Sequence, residues 1–328
     1  MKKFLALAMV VMLLAAGALA VGCQPASDNV IRVNEVTHSI FYAPQYVAMQ
    51  MGYFEEEGLE VVLTNGGGAD NVMTALLTGE ADVGLMGCEA SIYVYLQGKE
   101  NYPRVFAQLT KRDGSFLVGR NVETEFDYSS LEGKHILMGR KGGMPAMILE
   151  YVLNQHGLTD GVNVTMDYSV QFNFLTQAFV GGTGDYVPLF EPNASLLEQQ
   201  GNGHIVSAIG TESGEIPYTC YTATPEYLEK NSEKMEKFLR AVWKGYQYIL
   251  DTPLDKVARL LLPLFPDTDV EIVESSLYNY LNSDVWTDTP VVSREAFTLI
   301  QDIMENAGEL SQRVDYETII DTSIASKI

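Results

Sequence analysis

The sequence predicts an α/β protein of two lobes, the second inserted into the first, with a helical C-terminal part. Three observations carry this expectation. The stretch from Gly79 to Gly98 reads as turn, short apolar strand (Ala81–Met86), glycine loop and helix (Glu89–Leu96). The same strand–loop–helix design precedes it from Val30 to Leu77 and returns from His135 to Gln155. From Pro225 onward the pattern is almost wholly helical, broken at Asp251-Thr252-Pro253, Phe265-Pro266 and Gly308.

The elements follow in order. Val30 to Glu35 alternates as a first strand does. A helix starts near Pro44, where a missing N–H costs nothing in a first turn, and ends at Gly52. Leu59 to Leu63 is a second strand, Asn65 to Asp70 a glycine loop, and Asn71 to Leu77 a helix. Alternating strands and helices predict a largely parallel sheet with helices on both faces. Val105 to Thr110 and Ser115 to Gly119 are strands, and the second leads out of the first lobe. Residues 121–224 then form the second lobe. Its strands are His135–Met138, Val162–Tyr168, Asp185–Val187 and Ile205–Ala208, and its helices are Ala146–Gln155, Phe172–Val180 and Asn193–Gln200. Residues 30–120 and 225–328 form the first lobe. The expected crossovers lie near 119–125 and 220–224, and paired crossovers make a hinge that closes around a ligand.

The chain has 328 residues, 47% of them hydrophobic and 20% charged, enough apolar matter for one large domain or two of ordinary size. Residues 1–22 read as a secretory signal peptide: Lys2 and Lys3, then an uncharged apolar stretch to Ala20. Leu19-Ala20-Val21-Gly22-Cys23 is similar to a bacterial lipobox, which makes Cys23 the expected lipidated residue. Residues 23–29 are then a polar tether. An ordinary signal peptide or an uncleaved anchor are the alternatives. Loss of residues 1–22 removes two lysines and no acid, taking the net charge from −22 to −24. Such a surface repels nucleic acid and anionic lipid headgroups. Cys88 and Cys220 are expected to be free and partly buried. The four histidines, His38, His135, His156 and His204, lack zinc-site spacing, so no metal or cofactor is expected. Neither a Gly-x-Ser-x-Gly elbow nor a phosphate-binding Gly-Lys loop occurs.

Three motifs carry a family resemblance. They are Tyr42-Ala43-Pro44-Gln45-Tyr46-Val47-Ala48 followed by Gly52-Tyr53-Phe54 and Gly58-Leu59, then Leu76-Leu77-Thr78-Gly79-Glu80-Ala81-Asp82-Val83-Gly84, and Leu131-Glu132-Gly133-Lys134 leading to Gly142-Gly143-Met144-Pro145. Together they resemble the extracytoplasmic solute-binding proteins of bacterial ABC importers. The nearest branch is the one named for thiamine-pyrimidine synthesis proteins, akin to alkanesulfonate and nitrate binders. The resemblance implies a periplasmic-binding-protein fold of the second type and a solute held between the lobes. It also implies a monomer tethered by lipid outside the cell, partnered by a membrane permease and its ATPase. Site residues carried over are His38, Phe41 and Tyr42, then Gly87, Cys88 and Glu89, with Gly142, Gly143, Met144, Tyr186, Phe190 and Glu191 from the second lobe.

The chemistry of these residues favours a neutral or cationic heteroaromatic solute, such as a pyrimidine precursor of thiamine. Phe41, Tyr42, Tyr186 and Phe190 offer flat apolar walls, unless they are core. Glu89 and Glu191 offer carboxylates to ring N–H or amino groups, whereas Asp185 reads as a loop acid. The loop Lys141-Gly142-Gly143-Met144 has no serine, against the hydroxyl-rich loops of sulfonate and nitrate binders. An anion binder, an enzyme on the same fold and a ligand sensor are the alternatives.

Overall fold

A computed structural model describes residues 29–328; the expected signal peptide and Cys23 lie outside them. The chain opens with β1 (Val30–Glu35), α1 (Ala43–Gln50), α2 (Tyr53–Glu56), β2 (Glu60–Asn65), α3 (Ala69–Thr78), β3 (Val83–Met86), α4 (Glu89–Leu96) and β4 (Arg104–Thr110). It continues with β5 (Phe116–Gly119), β6 (His135–Leu137), α5 (Met144–Gln155), β7 (Thr165–Asp167), α6 (Leu175–Val180), β8 (Tyr186–Leu189), α7 (Asn193–Gln199), β9 (His204–Ala208) and α8 (Gly210–Ser213). It closes with β10 (Thr219–Ala223), α9 (Pro225–Asp251), α10 (Leu254–Leu261), α11 (Val270–Asn282), α12 (Arg294–Asn306) and α13 (Tyr316–Ile319).

The strands form two sheets, ordered β2-β1-β3-β10-β4 and β7-β6-β8-β5-β9, so the molecule has two α/β lobes. Parallel pairing holds where the β–α alternation predicts it, as in Val33 opposite Val83 and Ile136 opposite Met166. Two strands depart from it. β10 runs antiparallel to both β3 and β4, and β5 runs antiparallel to both β8 and β9. β5 therefore belongs to the second sheet and β10 to the first, which corrects the expected crossovers near 119–125 and 220–224. The connections between sheets are residues 111–115 and 209–218, because Phe116–Gly119 and Thr219–Ala223 spend their backbone hydrogen bonds inside sheets.

Core packing follows the apolar periodicity. Val83, Leu85, Ile31 and Val33 are fully buried at the centre of the first sheet, Ile136, Leu137, Leu117 and Val118 at the centre of the second. Helix α9 is capped by Thr224, whose side chain accepts from Tyr227 N–H, and has a break in helical geometry at Asn231. α9 packs closely on α1, and Gly245 is what lets it approach. A Cβ there would stand 2.1 Å from the Pro44 carbonyl oxygen and 3.0 Å from the Ala48 nitrogen. No helix among the described residues is long and apolar enough to cross a membrane.

Replacing Gly245 by alanine forces these two backbones apart, an overpacking that costs about 1–3 kcal/mol or more. Denaturant unfolding of G245A should show a lower midpoint; an unchanged midpoint would contradict the close approach.

Candidate functional site

A cleft of about 740 Å³ including its open mouth lies between the lobes. Its walls come from the C-terminal ends of parallel strands, where open α/β sheets leave a crevice. Val36 and Thr37 follow β1, Gly87 and Glu89 follow β3, and Gly67 to Asp70 begin α3. From the second lobe, Met138 to Arg140 follow β6, Gly143 to Ala146 begin α5, and Phe172 and Phe190 follow β7 and β8. Tyr218 and Thr219 close the set from the connection back to the first sheet.

Of the residues expected from sequence, Tyr42, Gly87, Glu89, Gly143, Met144 and Phe190 line this cleft. The others stand elsewhere, each for a physical reason. Phe41 is buried behind the wall, with ring centroids 5.4 Å from Phe190, 5.7 Å from Tyr218 and 5.2 Å from Tyr280. Cys88 turns into the core as the residue before α4 and is free and fully buried, as is Cys220; neither is partly exposed as expected. Gly142 offers its carbonyl to the Tyr93 hydroxyl at 2.9 Å, outside the lining. Tyr186 donates its hydroxyl to Glu123 at 2.5 Å and sits within the second sheet. Asp185 accepts from His135 N–H at 2.9 Å, as a loop acid does.

His38 and Glu191 line a second cavity of about 550 Å³ that shares Thr37, Phe172 and Phe190 with the first. Both ring nitrogens of His38 are engaged, by Glu35 at 2.9 Å and the Leu264 carbonyl at 3.0 Å. The Glu35 carboxyl raises the His38 pKa, against burial. Glu191 is tied up as well. Its carboxylate accepts from Asn279 Nδ2 at 2.6 Å, Ser195 Oγ at 2.7 Å and Ser195 N–H at 2.9 Å. Its backbone N–H donates to the Tyr280 hydroxyl at 2.8 Å and its carbonyl accepts from Ser39 Oγ at 2.5 Å. Ser39, Asn279 and Tyr280 belong to the first lobe, so Glu191 fastens one lobe to the other.

Glu89 differs from both. It is 1% exposed, and its Oε2 has no hydrogen-bond partner. Burial pushes its pKa up to about 7, against the backbone N–H groups at the starts of α4 and α5 and the charge of Arg140. The carboxyl rests on Gly87, where a Cβ would be 2.0 Å from Oε2. Arg140, Gln171, Phe172, Tyr218 and the Gly67–Asp70 loop were not among the residues expected. The glycine loop after β2 gave a signal that repeats the β3–α4 design; Tyr218, at the start of an alternating strand, gave none. No group of three or more His, Cys, Asp or Glu side chains able to hold a metal occurs among the described residues.

Comparison with known proteins bears on the family and the fold. Residues 40–255 match the family model described as NMT1/THI5 like. The chain is 42% identical to "Putative binding protein YtlA" of Bacillus subtilis (strain 168), over 95% of this chain and 93% of that one. It is 26% identical to 4-amino-5-hydroxymethyl-2-methylpyrimidine phosphate synthase of Aspergillus parasiticus, over 65% of this chain and 64% of that one. Among solved structures, the alkanesulfonate-binding protein SsuA from Xanthomonas axonopodis pv. citri superposes with a TM-score of 0.70 at 16% identity, covering 91% of this chain and 100% of that one. The two lobes and the cleft between them are thus a periplasmic-binding-protein fold. The chain belongs to the NMT1/THI5-like family.

A carboxyl whose pKa is raised on folding stabilises fully below its unfolded pKa, and that share is lost as pH rises through the folded value. For Glu89 the window runs from 4.5 to about 7 and the share is about 3 kcal/mol. Wild type should therefore lose stability relative to E89Q as pH is raised from 5 to 8 in denaturant titrations. Parallel curves would refute the burial of this acid.

Proposed function

We propose that this protein is the extracytoplasmic solute-binding component of an ABC importer, anchored by lipid at Cys23 and acting as a monomer. It captures a small, flat heteroaromatic solute and delivers it to a membrane permease and its ATPase. Glu89 carries this reading: a fully buried carboxyl with an unpartnered oxygen, set among aromatic walls, calls for a ligand that brings hydrogen-bond donors. Tyr42, Phe172, Phe190 and Tyr218 sandwich the ring, and Gly87, Gly143 and Met144 allow backbone approach. The names of the relatives support it too, since one is a binding protein and another makes a pyrimidine. Lobe one comprises residues 30–110 and 219–328, lobe two residues 116–208, and the connections 111–115 and 209–218 bend during closure.

A second reading is a sulfonate- or nitrate-type anion. Arg140 and the starts of α3 and α5 face the cleft and favour it. The buried acid among them opposes it, because an anion would meet Glu89 at close range. An enzyme is disfavoured because the two cysteines among the described residues sit where burial raises their pKa, which keeps them as thiols.

Thermal-shift screening of the purified protein tests the ligand class. 4-Amino-5-hydroxymethyl-2-methylpyrimidine at 100 times its Kd should stabilise by about 2.7 kcal/mol. F190A should weaken that effect by about tenfold in Kd. Stabilisation by alkanesulfonates such as MOPS and by no heterocycle would overturn the reading, and turnover of the heterocycle would favour the enzyme.

A further inference from the structure

The chemistry of Glu89 goes further than acceptance of donors. A carboxyl that is 1% exposed, with one oxygen unpartnered, has lost its hydration, and the nearby charge of Arg140 and a few backbone N–H groups offset that loss only in part. Arg140 lines the same cleft and acts on Glu89 by its charge, without a hydrogen bond to Oε2. The physical response of such a group is to keep its proton. A protonated carboxyl presents one donor and one acceptor side by side, a two-way edge that an ionised carboxylate lacks. The complementary edge is a ring nitrogen acceptor adjacent to an exocyclic amino donor.

We propose that Glu89 binds as the neutral acid, its O–H donating to a ring nitrogen and its carbonyl oxygen accepting from the neighbouring amino group. The solute class is the amino-substituted nitrogen heterocycle already read for the cleft, whose ring nitrogen and amino group match the donor and acceptor of this edge. The inference rests on the reading of the cleft as a heterocycle site.

Other titratable and charged groups face Glu89 from several elements. Burial raises the pKa of Tyr42 from the turn after β1, Tyr93 from α4, and Tyr218 from the connection to β10, so each stays neutral. Cys88 and Cys220 are likewise raised by burial. Arg140 from the β6–α5 loop and exposed Asp70 from α3 carry charges of opposite sign at the rim. Asp113, one layer away behind Tyr218, is a second buried acid pushed up to about 7 by burial, so the Glu89 variant must separate the two. Glu35, also raised by burial, lies behind Tyr42 and His38 and is bonded to Tyr46 and His38.

The experiment is calorimetric titration of 4-amino-5-hydroxymethyl-2-methylpyrimidine into the mature protein between pH 6 and 9, in two buffers of different ionisation enthalpy. Wild type should hold a constant Kd to about pH 7, weaken about tenfold per unit above it, and take up about one proton per ligand at pH 8. E89Q presents the same donor and acceptor in an amide. It should bind without that pH dependence and without proton uptake, whereas E89A should lose binding by 100-fold or more. Binding that strengthens with pH and vanishes in E89Q would show an ionised carboxylate and overturn the proposal while leaving the heterocycle reading intact. Equal binding by wild type, E89Q and E89A would overturn it too. If no heterocycle binds and MOPS does, the heterocycle reading itself fails. Infrared difference spectra of ligand-free wild type and E89Q give a readout independent of any ligand: a protonated-carboxyl band at pH 6 belonging to Glu89 is expected, and its absence would sink the proposal alone.

Discussion

The cleft exists in this form because Glu191 holds the two lobes in register. Five hydrogen bonds converge on that one residue, and three of them, to Ser39, Asn279 and Tyr280, cross between lobes. Its carboxyl sits where hydration is lost, so each of those bonds replaces water that the group no longer has. Burial raises its pKa, while Asn279 and Ser195 stabilise the charged form. With Glu191 fastened, Phe190 beside it is held against Phe41 and faces Phe172 at 5.8 Å. The aromatic wall is thus an extension of the core that stops at the cleft, with Phe41 as its hub. Gly114 allows this closeness, since a Cβ there would stand 2.2 Å from the Phe41 ring.

This arrangement separates two kinds of buried acid that look alike in a list of residues. Glu191 is fully partnered and structural. Glu89 keeps an oxygen without a partner and faces the cleft. A polar group left without a partner in the interior costs on the order of 1–3 kcal/mol, a cost that a complementary solute removes. The overall charge of −22 says nothing of this, because it is set by exposed acids and not by the few carboxyls that water does not reach.

Much of the fold was legible in the chain. Glycine loops between short apolar runs and helices marked β3, α4, β6 and α5, since a strand ending in glycine and followed by helix-forming residues has few other solutions. The strands that connect the lobes were harder. Periodicity reports that Phe116–Gly119 is extended, but not which sheet completes its hydrogen bonds. That depends on β8 and β9, some 70 and 90 positions later in the chain. The site was partly legible for the same reason. Residues directly after parallel strands, such as Tyr42, Glu89 and Phe190, reach the crevice by topology alone. Whether a side chain there points outward or is claimed by a neighbour is a tertiary matter: Glu191 and His38 had partners distant in sequence, Asn279 and Leu264. Tyr218 was invisible because it arrives from the return connection.

One feature of the strand order bears on how such a chain can change. β4 and β10 are neighbours in the first sheet, and β5 and β9 are neighbours in the second, so the inserted lobe is joined to its host by two adjacent short strings of backbone. An insert whose ends lie together behaves as a cassette. Its half of the crevice can drift, or be exchanged by recombination at two nearby points, while β3 and α4, which carry Glu89, stay with the host.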